Sequence, residues 1–180
     1  MKTNTKKLTL TALFAVVALI IFIVEAQVPL PPGIPGLKLG LANIVTLFMI
    51  FLGGMWKKRD VFLVLLVRIL LASIYSGHPE SLIYSFAGGI LALLVMLAMR
   101  AAFKAAAIPV ISVAGAAAHN AGQITAVMLV WQSTRVLVYL PVLVAGGIIS
   151  GLLTGFAVHF IYKAHPRFIG YIGGSNKNDV

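Results

Sequence analysis

The chain has 180 residues, of which 61% are hydrophobic and 10% charged, and its mean hydropathy is +1.04. A soluble domain carries about 25% charged residues, so this much apolar surface cannot be hidden in a water-soluble core and the bilayer has to be the solvent. The formal net charge is +10, from 14 Lys and Arg against 4 Asp and Glu; these cations sit at the ends of apolar runs, as membrane orientation requires, and no nucleic-acid partner is expected.

Six apolar stretches follow one another, each near the ~20 residues that span a hydrocarbon core. They cover Leu8–Val24, Leu37–Gly54, Val61–Gly77, Leu82–Met99, Ile108–Val130 and Val136–Tyr162. Short breaks with turn residues or charge separate them: VPLPPGIPG, WKKRD, GHPES, RAAFKAAA and WQSTR. None shows the two-residue alternation of a barrel strand, so the spans are helices that satisfy their own backbone in lipid. The expected fold is an all-α integral membrane bundle of six transmembrane helices, one domain, with residues 163–180 as a tail.

The basic residues orient it. Lys2, Lys6, Lys7, Lys57, Lys58, Arg59, Arg100, Lys104, Lys163, Arg167 and Lys177 fall on one side of a six-span chain, and only Lys38 and Arg135 on the other. Positive residues stay inside, which places both termini in the cytoplasm of a bacterium and the protein in its inner membrane. The first run, ending Val24-Glu25-Ala26, also has the outline of a cleaved signal peptide. Its length and Glu25 favour a retained span. AGGI occurs at Ala87–Ile90 and Ala145–Ile148, in spans that are not equivalent halves, so it marks no repeat.

Small residues recur at helical spacing in the sixth span (Gly147, Gly151, Gly155, beside Gly146, Ser150, Thr154) and in the fourth (Ser81, Ser85, Gly89). Such rows let membrane helices approach closely, either within this bundle or against a partner subunit. Thr11 and Ala15 offer a weaker row in the first span.

Polar groups inside spans are costly and mark cavities or partners. Arg68 lies midway along the third span, with Ala72 and Tyr75 on its face. Its guanidinium keeps its charge and needs an acceptor: Glu25 or Glu80, carbonyls, or an anionic ligand. His119, Asn120 and Gln123 share one arc of the fifth span with Gly115 and Ala116, forming either an interhelical hydrogen-bond cluster or one wall of a ligand site. Lys38 and Asn43 open the second span after a connection stiffened by Pro29, Pro31, Pro32 and Pro35, which is either a lid (Pro31, Pro32, Gly33) or a rigid connector. The chain has no cysteine and only four carboxylates, Glu25, Asp60, Glu80 and Asp179. It has no Gly-Lys-Ser phosphate loop, no GxSxG and no aspartate-rich pair for magnesium diphosphate. No catalytic residue, metal or cofactor is expected.

The stretches PGLKLGLANIVTLF (Pro35–Phe48), VRILLASIYSG (Val67–Gly77), YSFAGGILALLVM (Tyr84–Met96) and SVAGAAAHNAGQI (Ser112–Ile124) resemble the bacterial membrane family labelled heptaprenyl diphosphate synthase component I, also called Gx transporter family proteins. That resemblance implies a bundle like the substrate-binding S components of energy-coupling factor transporters. A small-molecule site would open on the outer side under the first connection, lined by Asn43, Arg68, Tyr75, His119, Asn120 and Gln123. The ligand would be a vitamin, a quinone precursor or a prenyl compound. A membrane coupling subunit and ATPases are the implied partners. The same resemblance also fits a non-catalytic membrane subunit of prenyl diphosphate or quinone synthesis, or of flavin-based extracellular electron transfer.

Overall fold

A computed structural model describes residues 5–27, 38–53, 56–103 and 107–173. Its elements are α1 (Thr5–Glu25), α2 (Asn43–Leu52), α3 (Lys58–Ser76), α4 (Pro79–Ala102), α5 (Ile108–Trp131), α6 (Leu140–Ala164) and α7 (Pro166–Gly173), with a 3-10 turn over Thr134–Tyr139 before α6. The described residues are helical throughout apart from short connections. Four helices are long and apolar enough to cross a membrane: α1, α4, α5 and the helical stretch Thr134–Ala164. The protein is a helical membrane protein, and its outer surface is clad in exposed Leu, Ile, Val and Phe, as a surface facing lipid should be.

The boundaries follow local chemistry. Pro79, Pro109 and Pro141 each sit in the first turn of a helix, where the missing N–H is no loss. Pro141 also delays the start of α6, so the expected sixth span opens as a tight 3-10 turn. The third expected span is a helix of 19 residues with Arg68 buried near its middle. The second departs most from expectation. Only Asn43–Leu52, ten residues, are helical, which is about 15 Å of helix. Residues 38–40 before it belong to no regular element and 41–42 form a turn. The tail begins with α7, a short helix whose Ile169 and Ile172 pack into the core beside Trp56. The expected lid residues Pro31, Pro32 and Gly33 lie outside the described residues.

α5 is the central element and packs most extensively on α4 at one side and α6 at the other. Both contacts run through glycine. A Cβ on Gly122 would sit 2.7 Å from the Ala87 carbonyl oxygen of α4. A Cβ on Gly155 would sit 2.6 Å from Pro109 Cα, and one on Gly151 2.8 Å from Val113 Cα. The row Gly147, Gly151, Gly155 therefore faces α5 rather than lipid. Ser112 and Thr154 share a hydroxyl hydrogen bond of 2.8 Å across the same seam. On the other flank, α1, α2 and α3 close around Phe14, Ala18, Val45, Met49, Leu65 and Ile69.

One end of the bundle is fixed by polar ties. Lys7 pairs with Asp60 at 2.6 Å, Lys6 donates to the Tyr171 carbonyl at 2.7 Å and the Trp56 indole N–H donates to the Ile172 carbonyl at 3.2 Å. The starts of α1 and α3 and the helix α7 thus share the basic end. Burial by itself would raise the Asp60 carboxyl; the Lys7 ammonium, the Lys57 N–H and the Arg59 charge outweigh it and hold the carboxyl below its ordinary value.

Two outcomes follow. Gly155→Leu drives a side chain into the α5 backbone and lowers stability by about 1–3 kcal/mol, read as a fall in thermal midpoint in detergent, whereas Gly170→Leu, with open space at its Cβ, leaves the midpoint unchanged. Because Asp60 has a depressed value in the folded state, its contribution is present above roughly pH 4 and is lost as pH falls further. Wild type should therefore lose midpoint on acidification more steeply than Asp60→Asn.

Candidate functional site

The interior polar cluster is built around the non-helical segment 38–42. Its backbone cannot satisfy itself, and in a membrane protein such a segment persists only where other groups supply its hydrogen bonds. Glu25, the last residue of α1, supplies two. Its Oε1 accepts from Gly40 N–H at 2.6 Å and its Oε2 from Ala42 N–H at 3.4 Å. Gln123 Oε1 accepts from Lys38 N–H at 3.2 Å, and Ser150 Oγ donates to the Leu39 carbonyl at 3.2 Å. Three helices, α1, α5 and α6, hold one strip of backbone. Gly40 has φ +87°, and a Cβ there would lie 2.9 Å from the His119 ring and 3.0 Å from Asn43 Nδ2. Only glycine lets the chain turn while lying flat on the imidazole.

Beneath that strip sit the fifth-span residues. Gln123 is fully buried, and its Nε2 lies 2.8 Å from His119 Nε2. Since Gln123 Oε1 already accepts from Lys38, its amide nitrogen is the donor, which makes His119 Nε2 the acceptor and puts the imidazole proton on Nδ1. His119 Nδ1 faces α4 at Gly88, where a Cβ would come within 2.9 Å. Asn120 points the other way: its Nδ2 donates to the Leu143 carbonyl of α6 at 2.6 Å, and Gly147 leaves room for it. Asn120 Oδ1 has no hydrogen-bond partner among the described residues.

Arg68 and Asn43 complete the cluster. Arg68 is 4% exposed, and its Nε and Nη2 have no partner among the described residues. It forms no ion pair with Glu25 or Glu80 there; the Glu25 carboxylate is engaged by backbone instead, although both Glu25 and His119 lie within electrostatic range of the guanidinium. Asn43 is buried with both side-chain polar atoms unpartnered. A buried cation and a buried amide with unused donors and an unused acceptor are costly unless a further group meets them. Lys38 adds a half-buried ammonium 5.1 Å from the centre of the Phe22 ring.

Asn43, Arg68, His119 and Gln123 are therefore gathered, and Asn120 is adjacent. Tyr75 is not. It is 54% exposed: it keeps the Arg68 direction to within about 20° but lies two turns, about 10 Å, further along α3, next to the last residue of the helix. Glu25, Gly40, Gly88 and Ser150 belong to the cluster without having been singled out for it. Glu25 carried the one usable signal, an ionisable side chain closing an apolar run. Between α4 and α5 an apolar groove of about 500 Å³ opens outward, lined by Phe86, Ala87, Ile90, Gly122, Ala126 and Leu129. Thr11 is half-buried, with its hydroxyl bonded to the Lys7 carbonyl, and Ala15 is buried in the α1 interface, so that row is largely used inside the bundle.

The family model described as heptaprenyl diphosphate synthase component I matches residues 14–161. No curated protein and no solved structure matches the chain. With most of its length matched, the chain belongs to the heptaprenyl diphosphate synthase component I family.

The Glu25 tie yields a prediction. Glu25→Gln replaces one acceptor by an N–H that opposes a backbone N–H, and it should cost about 2 kcal/mol; Gly40→Ala, strained and crowded against His119, should cost a similar amount, about 1–3 kcal/mol. Both are read as lowered thermal midpoints, and a wild-type midpoint in Glu25→Gln would mean that the segment is held by something else.

Proposed function

We propose that this member of the family is a membrane-embedded small-molecule-binding protein that works as the substrate-specificity component of an energy-coupling factor transporter does. The observation that carries this reading is the unpartnered guanidinium of Arg68 beside unpartnered Asn43 and the His119–Gln123 pair, beneath a glycine-turned strip of backbone. In this reading the bundle crosses the bacterial inner membrane six times, with α2 and the strip before it forming one broken crossing. Broken helices line substrate sites in many transporters. The basic end faces the cytoplasm.

Arg68 takes the anionic or carbonyl group of the ligand, forming charge-assisted hydrogen bonds in a low-dielectric site. His119 and Gln123 fix its orientation. Asn43 supplies one donor and one acceptor. The ligand would be a vitamin, a quinone precursor or a prenyl compound. A membrane coupling subunit and ATPases would complete the transporter. In this reading the protein binds its ligand, and two of its carboxylates serve the structure, Glu25 through backbone and Asp60 through Lys7.

The family's name favours a second reading. It designates one component of a synthase, so a further component is implied, and the chain would then be a non-catalytic membrane subunit of prenyl diphosphate or quinone synthesis, or of flavin-based electron transfer.

Mass spectrometry of small molecules retained after gentle detergent extraction tests the first reading. Arg68→Ala and His119→Ala should each lower retention about tenfold or more in protein that still elutes as a single folded species. Retention equal to wild type in both variants would sink the site. Affinity isolation from native membranes separates the two readings: ATPases and a coupling subunit co-isolate in the first, a prenyltransferase or flavoprotein in the second.

A further inference from the structure

At the basic end, away from the interior cluster, α2, α3 and α4 border a half-open cavity of about 240 Å³. Met49, Ile50, Val61 and Leu97 make its apolar walls, and Trp56, Lys58 and Arg100 stand at its polar side. Its volume is below that of a pocket for a drug-sized molecule, and suits a compact group. Arg100, in the last turn of α4, is held in place: its guanidinium stacks on the Phe51 ring with Cζ 4.8 Å from the centroid, and Nη1 donates to the Phe103 carbonyl at 3.5 Å. Its Nε is buried with no hydrogen-bond partner among the described residues. Lys58 is the first residue of α3 and is exposed at the polar side of the cavity. No carboxylate is among the described residues that line the cavity. Asp60, the nearest in sequence, is taken by the Lys7 ammonium and the Lys57 N–H.

We propose that this cavity is a binding site for a phosphate group, with Arg100 and Lys58 as its two cationic contacts. A guanidinium positioned by the Phe51 ring, a second cation and no carboxylate among the described lining residues are the features that recognise a phosphate anion. The cavity holds a compact group and is open on one side, so a phosphate whose hydrocarbon chain lies outside it is accommodated as well as a bare one. Two sources supply this chemistry: the headgroup of an anionic phospholipid, whose recognition by basic pockets between membrane helices is general, and a free phosphate. The site is separate from the Arg68 cluster and does not depend on it.

The experiment uses the full chain purified in detergent, supplied in one arm with phosphatidylglycerol or phosphatidylcholine and in the other with inorganic phosphate. Bound lipid is read by native mass spectrometry and phosphate binding by thermal midpoint. Arg100→Gln and Lys58→Gln are compared with Arg167→Gln, an exposed cation outside the cavity. Lys58 is exposed, so its variant keeps the fold even if Arg100→Gln does not. With a phospholipid ligand, phosphatidylglycerol is retained and phosphatidylcholine is not, and retention falls about tenfold in Lys58→Gln and Arg100→Gln while Arg167→Gln matches wild type. With a free phosphate ligand, millimolar phosphate raises the midpoint of wild type and Arg167→Gln but not of the two cavity variants. The proposal is overturned if neither arm responds, if phosphatidylcholine is retained equally, or if Arg167→Gln loses as much as Lys58→Gln.

Discussion

The grip of the Glu25 carboxylate on the Gly40 and Ala42 N–H groups is the contact on which the interior arrangement rests. A helix in lipid satisfies its own backbone; a strip that is not helical does not, and each unmet N–H there costs several kcal/mol. By accepting from that strip, Glu25 allows residues 38–42 to lie inside the bundle, and α2 to begin below it. Gln123 and Ser150 finish the task from α5 and α6. One buried carboxylate is thereby converted from a liability into the organiser of a non-helical segment inside the bundle.

The rest of the site follows from that choice. With the Glu25 oxygens engaged by backbone, Arg68 is left without a paired carboxylate among the described residues, and its unused donors face the same interior as Asn43 and His119. Gln123, by accepting from Lys38, sets the tautomer of His119. The glycines of α4 and α6 set the depth of the cluster, since Gly88 admits the His119 ring and Gly147 admits the Asn120 amide. Polar chemistry and helix packing are one arrangement here. A methyl group at either glycine would push a polar side chain out of place.

The two ends of the bundle differ in kind. The end that carries Lys7, Asp60, Trp56 and α7 is tied by an ion pair and by side-chain bonds to carbonyls. Its cations fall into two groups, those matched locally, such as Lys7, and those with capacity left over, such as Arg100. The first group fixes α1 against α3. The second lines the cavity for which a phosphate ligand is proposed.

The sequence by itself determined that the protein is a helical membrane protein, because the length and polarity of apolar runs are local properties that lipid reads directly. It also determined which polar residues of α5 share a face, since Asn120, His119 and Gln123 obey helical periodicity whatever surrounds them. It pointed to the glycine row of α6 but left its partner open. The tertiary structure decided that the row faces α5, that α2 is a half-length helix, that Tyr75 is exposed and that Glu25 binds backbone rather than Arg68. Each of these depends on where a distant segment lies. A carboxylate cannot announce in sequence which N–H it will meet fifteen residues on, and a glycine turn at Gly40 has meaning only once the His119 ring is beside it.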